Sequence, residues 1–426
     1  MAESLADPAA ATGQSGYWEL LRGNVTFRRL WIGNVVSLLG DWFNTIALYT
    51  MVLRLTGSEL ALGAVLIIKM LPWALASPIA GVLVDRFNRR RLMIASDLLR
   101  ALVVVGFLLV DDAGDLPLIY ALIAAQGVLA SLFIPARSAS IPNVTSARQL
   151  VTANALMAAS WSVMLAVGAA LGGLVTQWLG ERAVFAIDSA TYLLSGYFIA
   201  RSVIPQATDT ARGPVLRTAF RQMADGWRFL RDMPNVRRIA LAKMAWAIGG
   251  GALGYSLALA GDQLSAGALA AGIGILFAAR GLGSGIGPVV ARWAFKDRGK
   301  WPLILGLVIA ASGICYTVVG VIGWSLPIFI VLVILAHSAS GANWVMSTVL
   351  LQERTEDRFR GRVFATEWLL VTLAETLSIV AASVLLEMGV VDLRGGILTF
   401  ALLQLLCGVL WVVLVVPRER GPIARR

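Results

Sequence analysis

The chain is divided, from Leu30 to Val416, into twelve apolar runs, each closed by charged or turn-forming residues. A helix rises about 1.5 Å per residue, so a run of about 20 residues spans the ~30 Å hydrocarbon core of a bilayer. No water reaches that core to bond free N–H and C=O groups, and successive runs of this length therefore have to be helices. The first six are Leu30–Leu53, Leu60–Leu83, Leu92–Val110, Leu116–Phe133, Ala153–Leu179 and Val184–Ile204. The second six are Ile239–Ala260, Leu264–Val290, Pro302–Ile322, Leu326–Leu351, Val363–Leu386 and Gly396–Val416. Of 426 residues, 58% are hydrophobic and 14% charged, which excludes a soluble multidomain protein. The expectation is an all-α membrane protein of twelve transmembrane helices in two six-helix bundles, residues 1–205 and 236–426, with a cavity between them.

Residues 206–235 join the halves. Here Phe220, Met223, Trp227 and Leu230 recur at helical spacing beside Arg217, Arg221, Arg228 and Arg231, which predicts an amphipathic helix lying on the membrane surface. Trp18 to Arg29 reads as a short interfacial segment. Residues 1–16 carry Glu3 and Asp7 where a secretory leader would be basic, so no cleavable signal is expected.

The net charge of +11 punctuates the apolar runs instead of gathering on one domain. That is the pattern of topology determinants, and no nucleic-acid partner is expected. Arg86 to Arg91, Arg137, Arg148, the linker arginines, Lys296 to Lys300 and Arg354 to Arg362 fall in one set of loops; Arg22, Arg28, Arg29, Arg418, Arg420, Arg425 and Arg426 join them from the two ends. The alternate loops offer little beyond Arg54, Arg182 and Arg394. Both termini and the linker are thus expected in the cytoplasm, in a multi-pass protein of the cytoplasmic membrane. The Asn-x-Thr triplets at Asn24 and Asn143 then face the wrong side for glycosylation.

Several chemistries find no residues. One histidine, His337, and two cysteines within apolar runs, Cys315 and Cys407, support neither a metal site nor a disulfide framework. Gly281, Gly283, Gly285 and Gly287 follow no strand and read as helix packing; no Gly-Lys-Ser/Thr phosphate loop is present. No cofactor and no enzymatic activity are expected.

Charges inside the spans carry the functional argument, because each is costly at mid-membrane. Asp41 lies about 18 Å into the first helix at about 1.5 Å per residue, and Lys69 on the returning helix reaches a similar depth. An Asp41–Lys69 pair serves either proton coupling or helix packing. Asp97 and Arg100, three apart, share a helix face and can pair with each other or with Asp85. Arg280 and Glu375 form the next candidate pair. Glu367 is expected to join Arg360 and Arg362, and Asp188 to cap or pair near the outer end of its helix. Trp178, Trp293, Trp301 and Trp324 stand at run ends as interfacial anchors. Trp42, Trp161, Trp246, Trp344 and Trp368 stand within runs, to line a cavity or to pack.

Between the second and third runs stands Gly81-Val-Leu-Val-Asp85-Arg86-Phe-Asn88-Arg89-Arg90-Arg91, a tight charged turn in which Gly81 permits close helix approach and Asn88 suits a left-handed turn residue. It resembles the Gly-x-x-x-Asp-Arg-x-Gly-Arg-Arg loop of the major facilitator superfamily, with Asn88 in place of the second glycine. Gly287-Pro-Val-Val-Ala-Arg292 echoes it in the second half, without the acid. Gly168-Ala-Ala-Leu-Gly172-Gly173 resembles the Gly-Pro-x-x-Gly-Gly motif of the superfamily's antiporters, with Ala169 in place of proline. Ser37-Leu-Leu-Gly-Asp41-Trp42, Ile134-Pro-Ala-Arg-Ser-Ala-Ser-Ile-Pro142 with Ala153-Asn154, and Leu351-Gln352 through Arg360-Gly-Arg362-Val resemble the enterobactin exporter and macrolide efflux branch.

The resemblance implies a monomeric secondary transporter that exports a small molecule by alternating access, exchanging it for protons. On that reading Asp41, Lys69, Trp42, Arg280 and Glu375 line the cavity. Gly81, Asp85, Arg86, Arg89, Arg90, Asp97, Arg100, Arg360 and Arg362 form a cytoplasmic gate, and Gly168, Gly172 and Gly173 pack helix five. Nutrient import and lysophospholipid flipping are activities that the same architecture serves.

Overall fold

The computed structural model describes residues 15–206, 214–265, 267–322 and 325–419. Glu3, Asp7, Trp324, Arg420, Arg425 and Arg426 lie outside the described residues. A short helix α1 (Tyr17–Gly23) precedes α2 (Val25–Thr56), α3 (Glu59–Arg86), α4 (Arg89–Gly106), α5 (Leu116–Val144) and α6 (Ala147–Ala200). The linker helix α7 (Val215–Asp232) leads to α8 (Pro234–Leu264), α9 (Leu269–Ala294), α10 (Trp301–Ile322), α11 (Leu326–Arg354), α12 (Asp357–Glu387) and α13 (Leu393–Leu410).

Helix α6 is 54 residues long, about 80 Å at about 1.5 Å per residue, more than twice the ~30 Å hydrocarbon core. Gly180, at φ 78° and ψ 167°, interrupts it. The packing on α2 gives the direction of each leg. Trp31 Nε1 donates to Ser160 Oγ at 2.9 Å, while Gly168 and Gly172 lie against Trp42 and Phe43, so the first leg runs parallel to α2. In the second leg Ser195 lies against Gly33, and Asp188 and Thr191 lie against Gly40, an antiparallel register. The chain therefore reverses at Gly180, and the described residues make twelve crossings.

Local chemistry sets the other reversals. Gly57, at φ 61°, closes α2 in the left-handed conformation that costs glycine least, and the Ser58 hydroxyl accepts from Ala61 N–H at 3.1 Å to start α3. After α3, Asn88 adopts φ −64° and its side-chain oxygen accepts from Arg91 N–H at 3.0 Å. Asn88 is thus a helix cap and not the left-handed turn residue expected, because four unpaired N–H groups at the start of α4 need an acceptor. Gly81 corrects another expectation: a Cβ there would meet nothing within 4 Å.

The two halves meet along two helix pairs, α6 with α9 and α3 with α12. A Cβ on Gly173 would stand 2.6 Å from the Ala270 carbonyl, and one on Gly281 would collide with the Ala166 backbone. A Cβ on Gly63 would stand 2.7 Å from that of Ser383. Lipid tails are as apolar as leucine, so such backbone approaches supply the contact area that holds membrane helices together. The alternating glycines of α9 divide their work: Gly281 and Gly285 face α6, and Gly283 and Gly287 face α11.

Helix α7 lies on the face shared by the turn at Asn88 and the start of α8, here called the linker face. Its Gly226 packs against the Arg362 carbonyl of α12, which a Cβ would approach to 2.6 Å. Ala219 and Leu230 are buried, whereas Leu216, Phe220 and Trp227 are exposed. The predicted stripe is thereby split between α12 and the surroundings. Trp178 and Trp293, 74% and 78% exposed at helix ends, stand where interfacial anchors belong.

Candidate functional site

In the first half, buried polar groups gather around Asp41. Gly40 lacks a side chain, which lets α6 bring Asp188 beside α2. The Tyr192 hydroxyl donates to Asp41 Oδ1. The Arg100 guanidinium stacks 4.3 Å from the Tyr192 ring centre and 4.6 Å from that of Phe133, and donates to Asp97 Oδ1 at 2.5 Å. Asp97 and Asp188 are fully buried and Arg100 is 4% exposed. Asp97 and Arg100 thus take each other, one of the two pairings expected, whereas Asp188 does not cap the outer end of its helix. Asp97 stands about 12 Å along α4 from Arg89, too deep for the turn at Asp85. Asp188 is drawn inward by the gap at Gly40, away from the outer end expected for it.

Lys69 does not pair directly with Asp41. Its ammonium donates to Thr45 Oγ1 at 3.0 Å, and that hydroxyl donates to the Asp41 main-chain carbonyl at 2.7 Å. Lys69 thus meets the α2 turn that carries Asp41 through Thr45, while the Asp41 carboxylate is held by Tyr192 of α6. Trp42, next in sequence, stands at the seam of the halves: its ring lies 6.4 Å from Trp161 of α6 and 6.5 Å from Phe277 of α9.

The second half has a buried ion pair that the sequence reading did not name. Lys243 of α8 stands 3.0 Å from Glu367 of α12, with side chains 4% and 3% exposed, and donates to Thr348 Oγ1 at 2.8 Å. Its ammonium lies 4.7 Å from the Trp344 ring centre. Trp344 packs edge-on against Trp246 and Trp368, and Trp368 meets Trp73 of α3 at 5.1 Å, so the aromatic row crosses between the halves. Glu367 therefore does not join Arg360 and Arg362, because its helix face turns toward α8. Lys243 was legible as a lone cation inside an apolar run.

Arg280 and Glu375 sit at matching depths, about 17 and 18 Å from the far ends of their helices, yet no ion pair joins them among the described residues. Arg280 lies 5.8 Å from the Phe277 ring centre and beside Gly254, whose added Cβ would stand 3.4 Å from its nitrogen.

At the linker face, Arg89 lies 4.0 Å from Asp85 and donates to the Ala139 carbonyl at 2.8 Å. Arg90 donates to the Ile199 and Ala200 carbonyls, tying the start of α4 to the end of α6. Arg86 is half-buried at the end of α3. Arg362 pairs with Asp225 of α7 at 3.3 Å, and Glu419 receives both Arg238 and Arg354. At the opposite face Glu387 of α12 accepts from Ser58 Oγ and Leu60 N–H, both at 2.9 Å, so a residue of the second half caps a helix of the first.

Twelve membrane-crossing helices in two bundles, with buried charge inside each and aromatic rings between them, define a membrane transport protein. The sequence profile of the Major Facilitator Superfamily matches residues 30–298, and the chain belongs to that family. It is 26% identical over 314 residues to a candidate bacilysin exporter of Bacillus subtilis, covering 71% of this chain and 74% of that protein. It is 26% identical over 208 residues to macrolide efflux protein A of Streptococcus pyogenes, covering 48% of this chain and 51% of that protein. Its fold matches that of a bacterial homologue of the human lysosomal transporter Spinster, solved inward-facing and unoccupied, with a TM-score of 0.69 at 14% identity, covering 94% and 97% of the two chains.

Proposed function

We propose that this transporter exports a small, partly hydrophobic molecule in exchange for protons, with Asp41 carrying the proton. The Asp41 carboxylate supports the reading: it lies mid-helix in α2, half-buried and held by Tyr192, and Lys69 reaches the same turn of α2 through Thr45 and the Asp41 main-chain carbonyl. A carboxylate at that depth is costly unless partnered or wetted, and a change between wet and dry surroundings is what lets such a group load and release a proton. Trp42, Trp161, Phe277, Trp73 and Trp368 supply apolar walls between the halves, and Arg280 and Glu375 a second polar patch. Two relatives, a candidate bacilysin exporter and a macrolide efflux protein, point in the same direction.

The linker face, rich in arginine, is the cytoplasmic side by the positive-inside rule, in a cytoplasmic membrane. The bundles 1–205 and 236–426 rock about the central site as a monomer. The turn from Gly81 through Asp85, Arg86, Arg89 and Arg90, together with Arg360 and Arg362, gates that side. Proteoliposomes containing wild type or Asp41→Asn, given an imposed pH gradient and a panel of lipophilic antibiotics and siderophores, test the reading. Substrate-dependent proton flux should vanish in Asp41→Asn. Flux that persists would remove Asp41 from coupling, and transport indifferent to the gradient would make this a uniporter or lipid flippase.

A further inference from the structure

Helices α7, α8 and α12 enclose a cavity of about 460 Å³ that takes no part in the site between the bundles. We infer that this groove binds one anionic phospholipid, headgroup toward the linker face and an acyl chain toward the membrane interior.

On α8 the lining residues are sorted along the helix axis, cation first and apolar residues deeper. Arg228, Arg231 and Arg237 line its mouth, on the last turns of α7 and the first turn of α8. Leu241 and Met244 follow Arg237 by four and seven residues on α8, about 6 and 10 Å deeper at about 1.5 Å per residue. Those spacings keep all three on one face. Trp227, Leu230, Ala240 and Leu370 complete the apolar wall. A cationic rim above an apolar slot complements a phosphate joined to a hydrocarbon chain, and complements neither a free ion nor a wholly apolar solute.

The rim has acids of its own. Arg228 stands 3.2 Å from Asp225 and Arg231 2.9 Å from Asp232, while Arg237 has a main-chain acceptor, the Arg231 carbonyl at 3.2 Å. Three cations against two carboxylates leave the mouth positive, and an anionic leaflet attracts such a cluster. The pocket size falls within the roughly 300–1,000 Å³ usual for small-molecule sites. The groove also borders the contact of Gly226 with Arg362 and Thr366, so an occupant there braces α7 against α12.

The test is lipid retention, which does not depend on the transported substrate or on proton coupling. Purified wild-type transporter is challenged with phosphatidylglycerol, phosphatidylcholine or inorganic phosphate, and native mass spectrometry and thermal unfolding are recorded. Wild type should keep one phosphatidylglycerol through gas-phase activation and gain thermal stability from it alone. Arg228→Gln/Arg231→Gln/Arg237→Gln should lose the adduct and the thermal gain. Leu241→Trp, which fills the slot and leaves the rim intact, should lose them as well. Equal retention of phosphatidylcholine, an equal shift with inorganic phosphate, or an unaffected Leu241→Trp would overturn the assignment.

Discussion

The Tyr192 hydroxyl donates to the Asp41 carboxylate across the contact of α6 with α2. The same ring carries the Arg100 guanidinium on its face. One tyrosine therefore links the proposed proton carrier to the buried Asp97–Arg100 pair, and its removal tests the cluster without touching a charge. Tyr192→Phe keeps the ring and its cation contact but deletes a hydrogen bond to a charged group, worth about 1.5–3 kcal/mol. Substrate-driven proton flux in proteoliposomes should fall several-fold, with folding preserved in size-exclusion profiles. Unchanged flux would show that Asp41 works without its phenolic partner.

The Lys243–Glu367 pair predicts a non-additive pattern. Removing one partner of a buried ion pair leaves an uncompensated charge, at about 3–5 kcal/mol. Lys243→Met and Glu367→Gln should each lower the unfolding temperature sharply, and the double variant should recover most of the loss. Additive losses in thermal unfolding would mean that the two side chains do not interact.

Glycines at the seam and at the turn should behave in opposite ways. Gly173→Leu drives a side chain into the Ala270 carbonyl, which even a Cβ would approach to 2.6 Å. It should block the approach of α6 to α9 and abolish transport at normal membrane insertion. Gly81→Ala points into open space and gains helix propensity, about 1 kcal/mol. Its unfolding temperature should equal or exceed wild type. A destabilised Gly81→Ala would show that the turn packs closely after all.

The cap that Glu387 places on α3 predicts a change in accessibility. Glu387→Ala strips acceptors from Ser58 Oγ and Leu60 N–H. A cysteine introduced in place of Glu59, labelled with a membrane-impermeant maleimide, should react several-fold faster in the Glu387→Ala background. Equal labelling rates would remove Glu387 from the closure of that face.

Much of the architecture was legible because a bilayer imposes a local rule. Any run that crosses hydrocarbon must be apolar, long and helical, so the crossings, the linker helix and the cationic face follow from Leu30 to Val416 without knowledge of a single contact. The glycines of the fifth crossing were readable for the same reason, since close approach requires the absence of a side chain. Partner choice was not readable. Asp41 was matched to Lys69 by depth, yet Tyr192, 151 residues away in sequence, holds it. Glu367 was assigned to the neighbouring arginines, yet it turns to Lys243. Depth along a helix is a one-dimensional quantity that sequence supplies. Rotation about the axis and the choice of facing helix are set by packing across the whole bundle, such as the gap at Gly40 that admits Asp188. The sequence thus determined which charges enter the membrane, and the tertiary structure alone decided which of them meet.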